Sequence, residues 1–204
     1  MAVLALLALL MAYFLGSIPF GYLMVRAMAG ADIREAGSGN IGATNVLRTT
    51  GRAAGIATLV LDIVKGFLAV YIASRLTHSD PLWTSLAALA AMAGHSYPVF
   101  LNFRGGKAVA TFLGAYAMLA PIPLLAILVV FVATVAATRF ISLGSILAAG
   151  TFPLAVWLID HPGAPLVVSA LVSGAFIVYR HRENIRRLHA GVEPAFRFSG
   201  KRPA

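Results

Sequence analysis

The stretch AVLALLALLMAYFLGSIPFGYLMVRAM, residues 2–28, decides the fold class because Arg26 is its only charged residue. A bilayer core about 30 Å thick requires roughly 20 apolar residues for one helical crossing. A cleaved signal peptide carries its positive charge before the apolar run, whereas Arg26 follows it. We therefore expect this segment to be retained as a membrane-spanning helix.

The rest of the 204-residue chain has the same character, with 60% hydrophobic residues and a mean hydropathy of +0.87. An ordinary globular domain is about 45–50% apolar. We therefore predict an all-α, polytopic membrane bundle that forms a single domain over residues 1–204, with a flexible cytoplasmic tail at residues 195–204. About seven transmembrane helices are predicted, at residues 2–28, 53–76, 82–94, 107–119, 122–138, 143–159 and 164–179.

Positive charges concentrate on one side of this predicted topology. Arg26 and Arg34 place the end of the first helix in the cytoplasm by the positive-inside rule. Alternate crossings then leave Arg75, Asp80 and Asp160 on the opposite side. The cytoplasmic side receives Arg48, Arg52, Arg104, Lys107, Arg139, Arg180, Arg182, Arg186, Arg187, Arg197, Lys201 and Arg202. This predicts an extracytoplasmic N-terminus and a cytoplasmic C-terminus.

The net charge of +9 is therefore explained by a face toward anionic lipid headgroups, and no nucleic-acid partner is expected. The sequence contains no cysteine. Disulfides, thiolate metal sites and a cysteine nucleophile are excluded on that ground. Few carboxylates accompany the polar stretches, so we expect neither a metal centre nor another cofactor.

A glycine-rich stretch, GSGNIGATNVLRTTG, occupies residues 37–51. Its Gly37-x-Gly39-x-x-Gly42 spacing matches a dinucleotide-binding loop, but such a loop follows a strand, and Asp62 at the required distance lies inside a predicted helix. A Walker A reading fails because no Gly-Lys-Ser/Thr follows. The glycines still allow backbone N–H groups to converge on an anion, and Arg48 suits phosphate. An ordinary polar turn between helices remains the alternative.

The second polar stretch is GHSYPVFLNFRGGKAVAT, residues 94–111. Gly105 and Gly106 precede Lys107 at the predicted start of the fourth helix, with Arg104 adjoining. Two cations at a helix N-terminus favour anion binding, although cytoplasmic cations are also ordinary topology signals. A lone histidine such as His95 is more often a structural hydrogen bonder than a catalyst.

The third polar stretch is HRENIRRLHAGVEP, residues 181–194, and is predicted to be a helix that stops at Gly191. His181 and Asn184 share a face with apolar residues, while Arg182 and Arg186 occupy another face. A buried asparagine is costly without a partner. We therefore expect Asn184 to point into a polar pocket.

Two further charges, Asp62 and Lys65, lie inside the predicted second helix at a spacing that allows them to pair. Intramembrane charges often mark a pathway or a site, but a structural clamp between helices explains them equally well. We expect these residues to support the fold and not to catalyse.

The stretches GSGNIGATNVLR, GHSYPVFLNFRGGKAVAT and HRENIRRLHAGVE together resemble the three motifs of bacterial membrane-integral acyl-phosphate:glycerol-3-phosphate acyltransferases. LDIVKG, residues 61–66, is also similar to that family. The resemblance implies an enzyme of phospholipid biosynthesis in the bacterial cytoplasmic (inner) membrane, with its active site on the cytoplasmic side. It would transfer a fatty acyl group from acyl phosphate to the 1-hydroxyl of sn-glycerol 3-phosphate and use neither acyl-CoA nor acyl-carrier protein as direct donor.

Matching motif positions imply the candidate site residues. The implied catalytic residues are Ser38, Arg48, Lys107, His181 and Asn184. The implied substrate-binding residues are Gly37, Gly39, Asn40, Gly42, Thr44, Asn45, His95, Arg104, Gly105, Gly106 and Glu193. Either His181 or a substrate phosphate would accept the hydroxyl proton, and we favour the phosphate because its second pKa lies near 6.

Two other functions fit the residues without the resemblance. A phosphate or organic-phosphate transporter would also place cations beside a membrane pocket, but such proteins usually contain inverted repeats, and no internal repeat is evident here. A structural membrane protein whose basic loops bind lipid headgroups is the third candidate. That candidate does not explain Ser38, Asn45 or Asn184.

Overall fold

The structure is a computed structural model that describes residues 2–196 as ten α-helices and two short 3-10 helices, with no strand in that range. The 3-10 helices are Ile33–Glu35 and Val99–Leu101. The α-helices are α1 (Ala2–Ser17), α2 (Phe20–Ala29), α3 (Ala43–Thr49), α4 (Arg52–Leu76), α5 (Pro81–Ser96), α6 (Val109–Leu119), α7 (Pro121–Thr138), α8 (Ile141–Asp160), α9 (Ala164–Arg180) and α10 (Arg182–His189).

The predicted all-α membrane fold is confirmed, and each of the seven predicted stretches is helical over most of its length. Within residues 2–196, four segments are long and apolar enough to cross a membrane, namely Ala2–Ala29, α4, α7 and α8. Helices α9 and α10 add a fifth if that pair, bent by 54°, is one span. The helices α5 and α6 have only 16 and 11 residues. The number seven and the orientation of the termini therefore stay predictions.

The first predicted helix is interrupted at Ile18 and Pro19, between α1 and α2. Proline has no N–H to donate, so the helical ladder is broken there. The Lys65 ammonium donates to the Ile18 carbonyl at 2.7 Å and lies 2.8 Å from the Asp62 carboxylate. Both charged residues are buried. The predicted pairing is confirmed, and the contact with Ile18 favours the structural clamp over a pathway.

Small residues bring the helices into close contact. A Cβ at Gly16 of α1 would lie 2.2 Å from the Ala91 carbonyl oxygen of α5. A Cβ at Gly114 of α6 would lie 1.8 Å from the Ile63 carbonyl oxygen of α4. Small residues are the usual means by which membrane helices pack closely. The close approach at Ile63 and Gly114 therefore fixes α4 and α6 against each other.

The C-terminal segment returns to the helix bundle after α10. The Phe196 N–H donates to the Arg139 carbonyl in the turn between α7 and α8, at 2.7 Å. Residues 197–204 of the predicted tail, with the topology residues Arg197, Lys201 and Arg202, lie outside the described residues. The tail and the single-domain organisation stay predictions.

Candidate active site

The buried Asn45 side chain stabilises the first glycine-rich loop by hydrogen bonds to its backbone. It is 3% exposed, and its Nδ2 donates to the carbonyls of Ala36 and Asn40, both at 2.9 Å. Its Oδ1 accepts the Ser38 N–H at 3.0 Å. The amide is fully used inside the loop, so Asn45 holds the loop in shape and leaves the exposed Ser38 side chain available to a ligand.

The glycines of this loop are required by its geometry. Gly37 and Gly39 have φ values of 60° and 69°, in the left-handed region that glycine adopts without strain. The Gly39 N–H donates to the Ala36 carbonyl, and the Gly42 N–H donates to Asn40 Oδ1 at 2.8 Å. Three of the predicted binding residues, Gly39, Asn40 and Gly42, are thus engaged within the loop. Thr44 lies in the first turn of α3 and is half-buried.

Arg48 extends from α3, one helical turn after Asn45, and is exposed. Its Nη2 donates to the Pro194 carbonyl at 3.2 Å. This contact joins the first predicted stretch to the third across 146 positions. The guanidinium therefore faces the end of the bundle where the third stretch ends.

A chain of hydrogen bonds connects Lys107 with the start of α8. The Lys107 ammonium donates to Asn184 Oδ1, and Asn184 Nδ2 donates to Glu193 Oε1 at 2.7 Å. The same carboxylate accepts Ser142 Oγ at 2.6 Å on Oε1 and Arg187 Nε at 2.7 Å on Oε2. Asn184 is buried in a polar setting, as expected from the sequence. Three partners occupy the Glu193 carboxylate, which favours a role in orienting Asn184 over direct substrate binding.

Burial changes the pKa of Lys107, the first residue of this series of hydrogen bonds. Burial lowers the pKa of Lys107 from 10.5 to about 8, while the Glu193 charge opposes that shift. The positive charges of Arg187, Arg180 and Arg48 lower the Lys107 pKa further. An ammonium with a pKa near 8 is charged at neutral pH and loses its charge in mildly alkaline solution.

Glu193 is held in its ionised form. Burial alone would raise its pKa, but hydrogen bonds from Ser142, Asn184 and Arg187 outweigh burial and lower it below the ordinary value. The carboxylate is therefore a permanent acceptor near neutral pH. This fixes its preference for donor groups.

Gly105 and Gly106, which precede Lys107, pack directly on the end of α5. Their N–H groups donate to the carbonyls of Ser96 and His95, each at 3.1 Å. A Cβ at Gly105 would lie 2.2 Å from the His95 carbonyl oxygen, and one at Gly106 would lie 2.1 Å from His95 Nε2. The close approach explains both glycines, and their N–H groups are engaged within the chain. In this structure these two residues position Lys107 and do not form an anion cradle.

Arg180 also binds the loop that contains Gly105 and Gly106. Its guanidinium donates to the Gly106 carbonyl at 2.9 and 3.1 Å and to the Gly105 carbonyl at 3.3 Å. The guanidinium carbon also lies 5.0 Å from the centre of the Tyr97 ring. Arg180 ends α9 and immediately precedes His181, so one short segment both fixes the Lys107 loop and carries another candidate residue.

The two candidate histidines occupy different settings. His95 is 3% exposed, and its Nδ1 lies 3.7 Å from the Asp62 carboxylate in the helical core, which favours a structural role. His181 is buried at the bend between α9 and α10, with Nδ1 2.8 Å from the Ile177 carbonyl. A carbonyl only accepts, so Nδ1 carries a proton, and in the neutral ring Nε2 is then an acceptor.

A cavity of about 830 Å³ lies where the first and second stretches meet. Gly39 lines it from the first loop, and Arg104 and Gly105 line it from the second. The remaining lining residues are Asp32, Arg34, Glu35, Asn102, Phe103 and Arg180. This volume is within the range of small-ligand sites, but none of the five implied catalytic residues lines the cavity.

Comparison with known proteins identifies relatives that match most of this chain. The sequence model of the glycerol-3-phosphate acyltransferase family matches residues 6–191. This chain belongs to that family. It is 50% identical to the glycerol-3-phosphate acyltransferase of Geobacter sulfurreducens over 91% of this chain and 94% of that protein. It is 43% identical to that of Geobacillus kaustophilus over 96% of this chain and 98% of that protein.

The fold is also similar to solved structures of PlsY (YgiH), an integral membrane glycerol 3-phosphate acyltransferase. The glycerol 3-phosphate form of PlsY superposes with a TM-score of 0.89 and is 40% identical, covering 95% of this chain and 96% of that one. The lysophosphatidic acid form superposes with a TM-score of 0.87 at 39% identity. The family assignment expected from the three motifs is confirmed, as is the multi-pass membrane architecture.

In this member of the glycerol-3-phosphate acyltransferase family, the structure adds three residues that the sequence does not single out as site residues. Arg180 and Arg187 belong in the sequence to the cations that set topology, and nothing local distinguishes them from their neighbours. Ser142 lies outside the three motifs, in the first turn of α8. Their contacts form only on folding. Arg180 contacts Gly106, 74 positions away, and Glu193 is contacted by Arg187 from 6 positions away and by Ser142 from 51 positions away.

Proposed function

We propose that this protein transfers a fatty acyl group from acyl phosphate to the 1-hydroxyl of sn-glycerol 3-phosphate, giving lysophosphatidic acid and phosphate. Family membership supports the acceptor. The observation that carries the proposal is a pair of contacts, Lys107 with Asn184 and Arg48 with Pro194, because together they join all three polar stretches at one end of the bundle. We assign that end to the cytoplasmic side of the bacterial inner membrane, where this would be the first step of phospholipid synthesis.

Such a site must neutralise the negative charge of two phosphates. Acyl phosphate and glycerol 3-phosphate each carry a phosphate, and two phosphates repel each other when brought together. Arg48 and Lys107 neutralise that charge, and the Ser38 hydroxyl donates from the first loop. In this assignment the loop around Ser38 holds acyl phosphate, while Arg48, Lys107, His181 and Asn184 hold glycerol 3-phosphate.

Direct transfer suits this set of residues. Acyl phosphate is a mixed anhydride, so its phosphate is already a good leaving group. The 1-hydroxyl oxygen attacks the carbonyl carbon, the bond from that carbon to the phosphate oxygen breaks, and phosphate leaves with the electron pair. No acyl-enzyme is needed, in agreement with a sequence that contains no cysteine. Positioning and charge neutralisation then supply the catalysis.

The hydroxyl proton has two possible acceptors, a substrate phosphate and His181 Nε2. A phosphate dianion has a second pKa near 6, and each substrate brings one phosphate to the site where the hydroxyl attacks. We assign the proton to phosphate and give His181 a binding role. A His181→Gln variant should then lose glycerol 3-phosphate affinity together with turnover. Loss of turnover with unchanged affinity would instead make His181 the base.

The test supplies purified protein in lipid or detergent with palmitoyl phosphate and glycerol 3-phosphate. Phosphate release and lysophosphatidic acid are followed together, the latter by mass spectrometry. Release should require glycerol 3-phosphate, and palmitoyl-CoA should not replace palmitoyl phosphate. No release under any condition would overturn the proposal, and activity with palmitoyl-CoA alone would overturn the assigned donor.

Matched variants connect the activity to the site. Lys107→Ala should reduce kcat/KM by about 100-fold or more, the usual cost of removing one electrostatic contact to a developing charge. Arg186→Ala removes one positive charge from α10, where Arg186 is exposed and pairs with Glu183. That control should retain activity.

A further inference from the structure

Ser142 lies in the first turn of α8, outside the three polar stretches, and is 7% exposed. Its hydroxyl donates to Glu193 Oε1 at 2.6 Å, the oxygen that also accepts Asn184 Nδ2 at 2.7 Å. Arg187 holds the other carboxylate oxygen at 2.7 Å. The carboxylate is thus fixed from both sides, and one of its two oxygens is directed at Asn184.

The orientation of Asn184 follows from that carboxylate. An asparagine side chain has a donor end and an acceptor end, and an ionised carboxylate only accepts. Glu193 therefore selects the NH₂ end, which leaves Oδ1 toward the Lys107 ammonium. Rotation of the amide by half a turn would set NH₂ against an ammonium and a carbonyl oxygen against a carboxylate.

We propose that Ser142 is a positioning residue, which acts through Glu193 to hold the Asn184 amide in the orientation that receives Lys107. The inference rests on the proposed function for the meaning of that orientation and extends the site to a helix that no motif includes. Ser142 does not touch substrate in this account. Its effect reaches the reacting groups only through two intervening side chains.

The position of Ser142 in the fold agrees with a positioning role. It follows the turn between α7 and α8, where the Arg139 carbonyl receives the Phe196 N–H at 2.7 Å. The segment that carries Glu193 is therefore attached to the bundle at its backbone by Phe196 and by the Pro194 carbonyl that accepts Arg48 Nη2, and at its side chain by the Ser142 hydroxyl. Loss of the hydroxyl leaves the backbone attachments and the Arg187 contact in place, so the carboxylate loses one partner while the segment stays attached.

Three variants separate positioning from packing. Ser142→Ala removes the donor, and Ser142→Thr restores a hydroxyl. Ser145→Ala is the matched control, because Ser145 is also buried on α8 but donates to the Ile141 carbonyl of its own helix at 2.9 Å. Size-exclusion profiles and unfolding temperatures in detergent establish that all three variants are folded.

The first readout is the titration of Lys107 itself, which needs no acyl donor. The sequence contains three lysines, Lys65, Lys107 and Lys201, so ¹³C-labelled lysine gives three NMR signals that Lys107→Arg assigns. The charged groups facing Lys107 are Glu193 and the guanidinium groups of Arg48, Arg180 and Arg187, beside the neutral Asn184 and the His181 ring. In Ser142→Ala the Glu193 carboxylate keeps Arg187 but is no longer held toward Asn184 by Ser142, so it stabilises the Lys107 ammonium less.

We expect the Lys107 midpoint to fall by about half a pH unit in Ser142→Ala, to recover in Ser142→Thr, and to be unchanged in Ser145→Ala. The value of kcat/KM for glycerol 3-phosphate should fall about tenfold in Ser142→Ala. The alkaline limb of its pH profile should shift to lower pH together with the Lys107 titration midpoint. A purely structural role for Ser142 would lower the amount of folded protein and leave both pH readouts unchanged.

A Ser142→Ala protein whose Lys107 midpoint equals that of wild type and Ser145→Ala would overturn the inference. Wild-type protein without acyltransferase activity would instead overturn the proposed function. The two failures are distinguishable because the titration is read in the absence of any substrate.

Discussion

Lys107 and Asn184 are joined by a direct hydrogen bond although 77 positions separate them in the sequence. Lys107 approaches from the loop before α6 and Asn184 from α10. The pair is therefore the point where the second and third polar stretches meet. Its other neighbour, Glu193, fixes which end of the amide faces the ammonium.

Replacing the Asn184 amide should damage the site, because each replacement removes at least one hydrogen bond to a charged group. Asn184→Asp removes the donor to Glu193 and sets two carboxylates together, while Asn184→Ala removes both hydrogen bonds. Hydrogen bonds to charged groups contribute about 1.5–3 kcal/mol each, so we expect kcat/KM for glycerol 3-phosphate to fall about 10- to 100-fold in each variant. Steady-state kinetics measures this, with His189→Ala on the exposed face of α10 as control. Wild-type kinetics in Asn184→Asp would contradict the assigned hydrogen bonds.

The pH dependence of the reaction should report Lys107. Its pKa is lowered to about 8 by burial, and the ammonium is the active form, so kcat/KM should decline as pH rises through about 8. The acidic limb should lie near 6, where the substrate phosphates gain a proton. Arginine stays charged throughout this range, so Lys107→Arg should move the alkaline limb to higher pH. An unmoved limb would assign it to another group; spontaneous hydrolysis of the acyl phosphate is subtracted at each pH.

Arg180 should be required as an arginine and not merely as a cation. Its fork reaches two adjacent carbonyls and its central carbon lies 5.0 Å from the centre of the Tyr97 ring, and an ammonium cannot make both contacts. We expect Arg180→Ala to lower kcat about tenfold or more and Arg180→Lys to recover only part of that loss. Arg182→Ala, on the exposed adjacent turn, is the control for charge alone. Full activity in Arg180→Lys would show that the clamp is electrostatic only.

The apolar stretches made the helical fold predictable, because an apolar segment inside a membrane must satisfy its own backbone hydrogen bonds. The break at Pro19 was missed because the pattern around it is continuously apolar, and Lys65, which binds the Ile18 carbonyl at the break, lies 47 positions away. Helix α6 begins at Val109, two residues after its predicted start, since the chain turns at Ala108 with φ of 61°. Both errors concern backbone geometry that depends on tertiary contacts.

The candidate site was predictable as a set of stretches but not as a set of contacts. Arg48, Lys107, His181 and Asn184 stand out in the sequence because polar residues are rare beside membrane helices. Their partners do not stand out. Ser142 looks like any small residue of a packed helix, and its importance comes only from the return of Glu193 to the start of α8.

The buried pair of Asp62 and Lys65 should matter for stability. Asp62→Leu would leave the Lys65 ammonium buried without its carboxylate, and breaking one side of a buried pair typically costs about 3–5 kcal/mol. The double variant Asp62→Leu/Lys65→Leu has no unpaired charge and should be less destabilised than Asp62→Leu. Unfolding in detergent measures this order, and Arg186→Ala at the exposed pair with Glu183 should cost about 1 kcal/mol or less. A more stable single variant than double variant would contradict the clamp.

The absence of native cysteine makes the predicted orientation directly measurable, because any introduced cysteine is the only thiol in the chain. Arg75 is exposed in the last turn of α4, whereas Arg186 is exposed on α10 beside the candidate site. If the site faces the cytoplasm, a membrane-impermeant maleimide should label Arg75→Cys in spheroplasts and label Arg186→Cys only after lysis. Alkylation by a permeant maleimide establishes that both thiols are reactive. The reverse pattern would place the site on the outer face, away from the cytoplasmic pool of glycerol 3-phosphate, and would overturn the cytoplasmic assignment.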